Sequence, residues 1–225
     1  MSMIRTLLLG AIITGAAACA SAPRNPVLDK YPAGVAGRTT VTYYDVHGST
    51  YAELHADMRR QGPKINGTSF VGETLSPMSW NWRTESLSGG TCSLREVRVV
   101  VNAEILLPRW TPPPGVDSSV VAEWKRFIAA LETHEAGHKD ISARAGREIQ
   151  DQLRGMSGPC SQVSIHANDI ARAISDRANV EQKAYDAETR HGLTQGTVFG
   201  RPAVVRGGVT VDGSARGTST SPPAR

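Results

Sequence analysis

The chain has 225 residues, 40% of them hydrophobic and 20% charged, with a formal net charge of +4. That length fits one ordinary domain with tails, or two small domains, and the hydrophobic share excludes disorder throughout. The basic charge sits at the ends. Arg5 and Arg24 are the only charges in residues 1–24, and 193–225 carries four Arg against Asp212, which leaves 25–192 at −1. A near-neutral middle excludes a nucleic-acid-binding core.

Residues 1–20 read as an export signal: Arg5, an apolar run from Leu7 to Ile13, then small residues up to Cys19. The run is shorter than the roughly 20 residues that cross a bilayer. Ala16-Ala17-Ala18-Cys19 resembles a bacterial lipobox with Ala16 in place of the usual Leu. Lipidated Cys19 would be the new N-terminus and the sole membrane contact. Cleavage after Ala20 would give a plainly secreted protein, and an uncleaved anchor is the third option. The expected location is the periplasm or, as a lipoprotein, the outer membrane, and otherwise the medium. Cys92 and Cys160 remain, and two cysteines in an exported domain are expected to form a disulfide. It would span 68 positions, with free buried thiols as the alternative.

Residues 21–37, with Pro23, Pro26, Pro32, Gly34 and Gly37, read as a linker. Thr39–Val46 is rich in β-branched and aromatic residues and predicts a strand. Ser49 suits the N-cap of a helix through Leu54 and Met58, stopped at Gly62-Pro63. Thr68–Leu75 and Trp80–Ser86 predict a strand pair turning at Ser76-Pro77, and Cys92–Leu107 a long strand closed by Pro108. The prolines at 112–114 form a connection. The period then changes to 3.6. Trp124, Phe127, Leu131, His134, His138, Ile141, Ala145, Ile149 and Leu153 mark one face of a long helix from Asp117 or Ser118 to Gly155. A second helix runs from about Ser161 or Ser164 to Gly192, antiparallel to the first. Residues 38–196 thus make one domain, and 197–225 a disordered tail rich in Gly, Ser, Thr, Pro and Arg. The expected fold is α+β and zincin-like: a small, mostly antiparallel sheet with one helix, packed on a long antiparallel helix pair.

Within the long helix stands His134-Glu135-Ala136-Gly137-His138, an H-E-x-x-H motif. Residues four apart share a helix face, so two imidazoles can converge on one cation. The Glu between them reaches a water on the cation rather than the cation itself. Zinc lowers that water's pKa toward about 7, and Glu135 would take its proton as it attacks a carbonyl. A pair of helix-face histidines used only for packing is the plain alternative. His55 is expected to be solvated, His47 to serve a turn, and His166 to lie far from the metal. Core packing is the favoured role for Trp80, Trp82 and Trp110, with a cleft wall as the alternative.

Tyr43-Tyr44, Trp80-Asn81-Trp82, Cys92, Leu107-Pro108-Arg109-Trp110, His134–His138 and the Y-D-x-x-T-x-H-G pattern of Tyr185–Gly192 together resemble a bacterial family of unknown function. Its members are described as predicted secreted zinc-dependent proteases, and the likeness covers residues 38–196. A third zinc ligand is still required beside an open position. Two helices turning near Ser157 set residue 178 opposite 136, which favours Glu181. The family pattern instead contains Asp186 and His191, and a helix end at Gly192 can return His191 to the metal. His191 is placed first, with Asp186 as the alternative and Glu181 third; of His191 and Asp186, the one that is not a ligand would orient a ligand or stabilise the oxyanion.

The resulting expectation is an exported metallopeptidase holding one Zn2+ per chain and acting on peptide or protein in the cell envelope. The alternatives are a non-catalytic, metal-dependent binding module of the envelope and a zinc amidase acting on cell-wall peptide. In either peptide reading, strand 68–86 or strand 92–107 would offer an edge to an extended substrate.

Overall fold

The computed structural model describes Leu28 and residues 30–200. The expected signal segment with Cys19, and the tail beyond Gly200, lie outside the described residues. The architecture is α+β, a mixed sheet with three α-helices. The elements run β1 (Ala36–Val46), α1 (Tyr51–Gln61), β2 (Lys64–Ile65), β3 (Thr68–Ser69), β4 (Glu73–Leu75), β5 (Met78–Ser86), β6 (Thr91–Trp110), α2 (Ser118–Leu153), β7 (Ser157–Pro159) and α3 (Val163–Thr189).

Strand β6 is the axis of the sheet. β1 pairs with its second half, Val100–Trp110, and β7 with its start, Thr91–Ser93. On the opposite edge lie β5, from Cys92 to Val101, and β4, at Glu104–Leu106. One expectation is refined here and another changes. β4, β5 and β7 pair antiparallel with β6 as expected, but the most extensive single pairing, β1 with β6, is parallel and makes the sheet mixed. Alternating residues mark a strand but not its partner, and the chain between β1 and β6 is long enough for a crossover. Residues 68–86 also form no hairpin. Thr68-Ser69 pairs with β2, whereas β4 and β5 follow one another along the same edge of β6. Both edges of β6 are therefore occupied along most of its length, and β4–β5 is the outer strand on its side.

β6 continues through Pro108 to Trp110. Past Leu106 only β1 flanks it, a setting in which a proline's missing N–H is tolerated. Its alternate residues Val99, Val101, Ala103, Ile105 and Leu107 are buried. The first core joins Ile105, Leu107 and Trp110 to Leu54 and Met58 of α1 and to Trp124, Phe127 and Leu131 of α2. The second joins Leu94 and Val99 to Ile141, Ala145, Ile149 and Leu153 of α2 and to Val163, Ala167, Ala171 and Ile174 of α3.

The helix ends follow their capping chemistry. Asp117 caps α2 by accepting from the Ser119 N–H at 2.7 Å. At α1 the cap is Thr50 rather than Ser49, closed by a capping box with Glu53. The Cys92–Cys160 disulfide is present and ties the start of β6 to the connection between α2 and α3.

Two segments read as tails are packed. Leu28 is buried in the first core, and the buried Lys139 ammonium donates to the carbonyls of Leu28 and Lys30 at 3.3 and 2.9 Å. The expected linker is thus held to α2 in part. At the other end Phe199 is 2% exposed and lies among Tyr51, Trp124 and Phe127. Arg126 donates to the carbonyls of Gly196 and Val198. The packed chain therefore reaches past Gly196, because a single aromatic residue, with no periodic pattern around it, is enough to anchor a short strap.

Candidate metal centre

Residues 134–138 lie in the middle of α2, and Tyr185 and Asp186 in the last turn of α3. The ion pairs Arg144–Glu181 and Arg177–Glu148 run across the same helix pair, and in this register Asp186 lies opposite His138. The Nε2 atoms of His138 and His134 stand 3.1 and 3.4 Å from Asp186 Oδ1. Among the described residues, these three side chains form the group able to hold a metal, with ligand atoms within 4.8 Å of one another.

The remaining candidates fall elsewhere. Glu181 is engaged by Arg144 at the surface, because the α2–α3 connection contains β7 instead of a tight turn and shifts the register. His191, placed first from the sequence, is outside the group. Its Nδ1 lies 3.4 Å from Asp186 Oδ1, its side chain is 61% exposed, and its ring meets Phe70 edge-on at 5.5 Å. The helix ends at Thr189, and Arg190, His191 and Gly192 follow with φ of 52°, 52° and 80°. This left-handed turn leaves His191 at the rim.

The geometry explains the rest of the Y-D-x-x-T-x-H-G pattern. Tyr185 stacks on the His134 ring at 5.1 Å with planes 13° apart, and meets His138 edge-on. Gly137 makes this approach possible, since an added Cβ would overlap the Tyr185 hydroxyl and ring. Thr189 accepts from the Gly192 N–H at 3.2 Å and so braces the turn. Gly192 itself needs the left-handed region that glycine tolerates, and a Cβ there would meet the Thr197 side chain and, at 3.0 Å, the His134 ring.

Glu135 is buried on the flank facing the sheet, and its carboxylate accepts from the Thr74 hydroxyl of β4 at 2.7 Å. Burial pushes its carboxyl up to about 7, against the opposing pull of Thr74 and His138. Burial pushes His134 the other way, below its ordinary value, while the Gln195 hydrogen bond opposes that shift. That direction favours the neutral imidazole, the form a metal needs. Each histidine also has a partner that sequence reasoning missed. His134 Nδ1 is 2.9 Å from Gln195 Oε1, and His138 Nδ1 is 2.6 Å from Gln182 Oε1. With Nδ1 of both rings so engaged, Nε2 of both is directed at Asp186. This donor set of two imidazoles and one carboxylate suits a divalent transition ion such as zinc.

The other aromatic and histidine residues serve the fold. Trp80 and Trp82 donate to Asn168 and Ser164 of α3 and pack on the second core, while Trp110 donates to Gly48 O. His47 pairs with the buried Asp57, and His166 is exposed on α3. His55 is tied to the strap, with Nε2 at 2.6 Å from Phe199 O, rather than solvated.

Fold and site together define an α+β protein whose helix pair gathers two histidines and an aspartate beside a buried glutamate. The chain belongs to a bacterial family described as of unknown function (DUF922), whose profile matches residues 41–192. No curated protein and no solved structure matches it. Among the described residues no helix is long and apolar enough to cross a membrane.

Proposed function

We propose that this protein is an exported zinc-dependent metallopeptidase of zincin-like build, with His134, His138 and Asp186 as ligands and Glu135 as general base. The observation that carries the reading is the convergence of the three ligand atoms within 4.8 Å, with the Glu135 carboxylate buried alongside. His134, His138 and Asp186 would hold the zinc, whose chemistry when bound would be Lewis acidity toward a water and a carbonyl. Glu135 takes the proton of the attacking water and returns it to the leaving amine. Burial raises the proton affinity of that carboxyl, which favours its accepting the proton. Thr74 holds the carboxylate in place and also lies on β4, the outer strand on the glutamate side. A peptide added along β4 would run past Glu135 and the metal, whereas β6, flanked on both sides, is no longer a candidate edge. His191, beside Asp186 at the rim, remains free to meet substrate. Cys19 as a lipid attachment site and an envelope location complete the proposal.

The test is zinc content and peptide hydrolysis by the purified full chain and its Glu135→Gln variant. The proposal expects one zinc per chain in both, and hydrolysis of a mixed peptide library by the wild type alone. Hydrolysis of muropeptides in place of that library would turn the reading to the amidase. Zinc bound without either activity would turn it to the binding module.

A further inference from the structure

We infer that Gln182 and Gln195 are positioning residues that clamp the two metal-binding imidazoles through their Nδ1 atoms, and that the C-terminal strap is thereby a working part of the site. The inference rests on the metal reading above. It goes beyond the matched family region, because Gln195 lies outside residues 41–192.

The hydrogen-bond network fixes which end of the Gln182 amide faces the histidine. Gln182 Nε2 lies 2.9 Å from the backbone carbonyl of His138 and 3.1 Å from Ser142 Oγ. A carbonyl can only accept, so that atom is the NH2 group and Oε1 faces His138 Nδ1. The Tyr185 hydroxyl lies 2.9 Å from Gln195 Nε2 and 3.3 Å from both Gln195 Oε1 and the His134 carbonyl. With its proton on the His134 carbonyl, the phenol oxygen accepts from Gln195 Nε2, and Gln195 Oε1 faces His134 Nδ1 at 2.9 Å. An acceptor at Nδ1 makes that nitrogen the N–H, leaving the Nε2 lone pair toward Asp186. Outer partners of this kind usually include carboxylates. Here both are neutral amides, so the rings are oriented with no further negative charge placed near the ion.

The two clamps differ in their support. Gln182 is carried by α3, whereas Gln195 stands in the turn after it. That turn is braced by Thr189 on the Gly192 N–H and by Thr197 Oγ1 on the His191 carbonyl. The strap ties it down through Arg126 on the Gly196 and Val198 carbonyls and Phe199 in the first core. Loosening the strap therefore acts on His134 and leaves the His138 clamp in place.

The experiment is Zn2+ competition against a chromophoric chelator, with cobalt(II) absorption spectra of the same full-length proteins. Gln195→Leu should weaken zinc binding by about 10–100-fold, the range for losing an outer partner of a ligating histidine, and should shift the cobalt bands. Gln195→Glu, which still accepts from Nδ1, should restore binding to near the wild-type level. Arg126→Ala should weaken zinc in the same direction as Gln195→Leu. The metal-free Gln195→Leu protein should unfold within a few degrees of the wild type, about the effect of a 1 kcal/mol change. Zinc binding by Gln195→Leu equal to wild type, or a loss that Gln195→Glu fails to restore, would overturn the inference and leave the metal reading standing. A wild type that takes up no zinc would overturn both.

Discussion

At the disulfide end of the α2–α3 pair, Ile149 and Leu153 share a buried apolar cluster with Val163, Ala167 and Ala171, and Cys160 is bonded to Cys92. Some fifteen residues along α2, the same helices meet through His134, His138, Gln182, Tyr185 and Asp186. One end is stabilised by apolar burial and a crosslink, which need no partner from solution. The other keeps two imidazoles and two carboxyl groups in a largely buried space, where each polar atom must be matched. The difference teaches that stability and the proposed metal binding fall on separate stretches of one helix pair, and separate stretches can be perturbed separately.

The largest effect on that contrast should come from the ligands. His134→Ala or His138→Ala should lower zinc affinity by more than the roughly 10–100-fold that losing an outer partner costs. The metal-free variants should stay folded, because the disulfide end is untouched. Metal analysis and circular dichroism check both halves of that statement.

The converse change is Cys92→Ser with Cys160→Ser. A 68-residue separation corresponds to about 4 kcal/mol on the loop-entropy account, or a fall in Tm of about 10 °C for a domain of this size. Zinc affinity of the folded protein, measured below the new Tm, should change little. A loss of zinc parallel to the loss of stability would show that the two ends are not separate.

Smaller still is Gly137→Ala. Alanine would gain about 1 kcal/mol of helix propensity, but its Cβ would overlap the Tyr185 ring, and such overpacking costs about 1–3 kcal/mol. A net destabilisation of up to about 2 kcal/mol, with weaker zinc as Tyr185 is pushed off His134, is the expected result. A more stable protein with unchanged zinc would contradict the packing.

The finest test is pH. Glu135 titrates at about 7 in the metal-free fold, above its ordinary 4.5, chiefly through burial. Between those values the folded chain holds a proton that the unfolded chain has released. Its contribution is therefore full below about 4.5 and lost as pH rises through about 7. Glu135→Gln removes that loss, so the metal-free variant should gain stability over wild type as pH rises from 5 to 8 (about the span set by these values). Denaturant melts across that range decide it, and a constant difference would refute it.

The sequence showed the two ends unequally as well. Both long helices were legible from their 3.6 period, because each buries a continuous apolar face, and the disulfide followed from there being two cysteines in a chain read as exported. The H-E-x-x-H spacing picked out α2 as the candidate metal helix, since four residues make about one helical turn. The partner of that motif was less legible. Counting residues back from a turn near Ser157 pointed to Glu181, but β7 takes up part of the connection and slides α3 until Asp186 faces His138. His191 stood in the same short pattern, and only the left-handed turn after Thr189 sends it to the rim. Gln182, Gln195 and Thr74 left no signal, because an amide or hydroxyl behind a ligand has no fixed spacing from it. The parallel pairing of β1 with β6 was hidden for a related reason: alternation reports which face of a strand is buried and nothing about its neighbour.

The exchange of Asp186 for His191 is where the account is most exposed, and zinc per chain in two variants of the full-length protein tests it most directly. Purified free of metal and then reloaded, the wild type and His191→Ala should each hold close to one zinc, and Asp186→Ala far less. Full zinc in Asp186→Ala with loss in His191→Ala, or no zinc in the wild type, would contradict it.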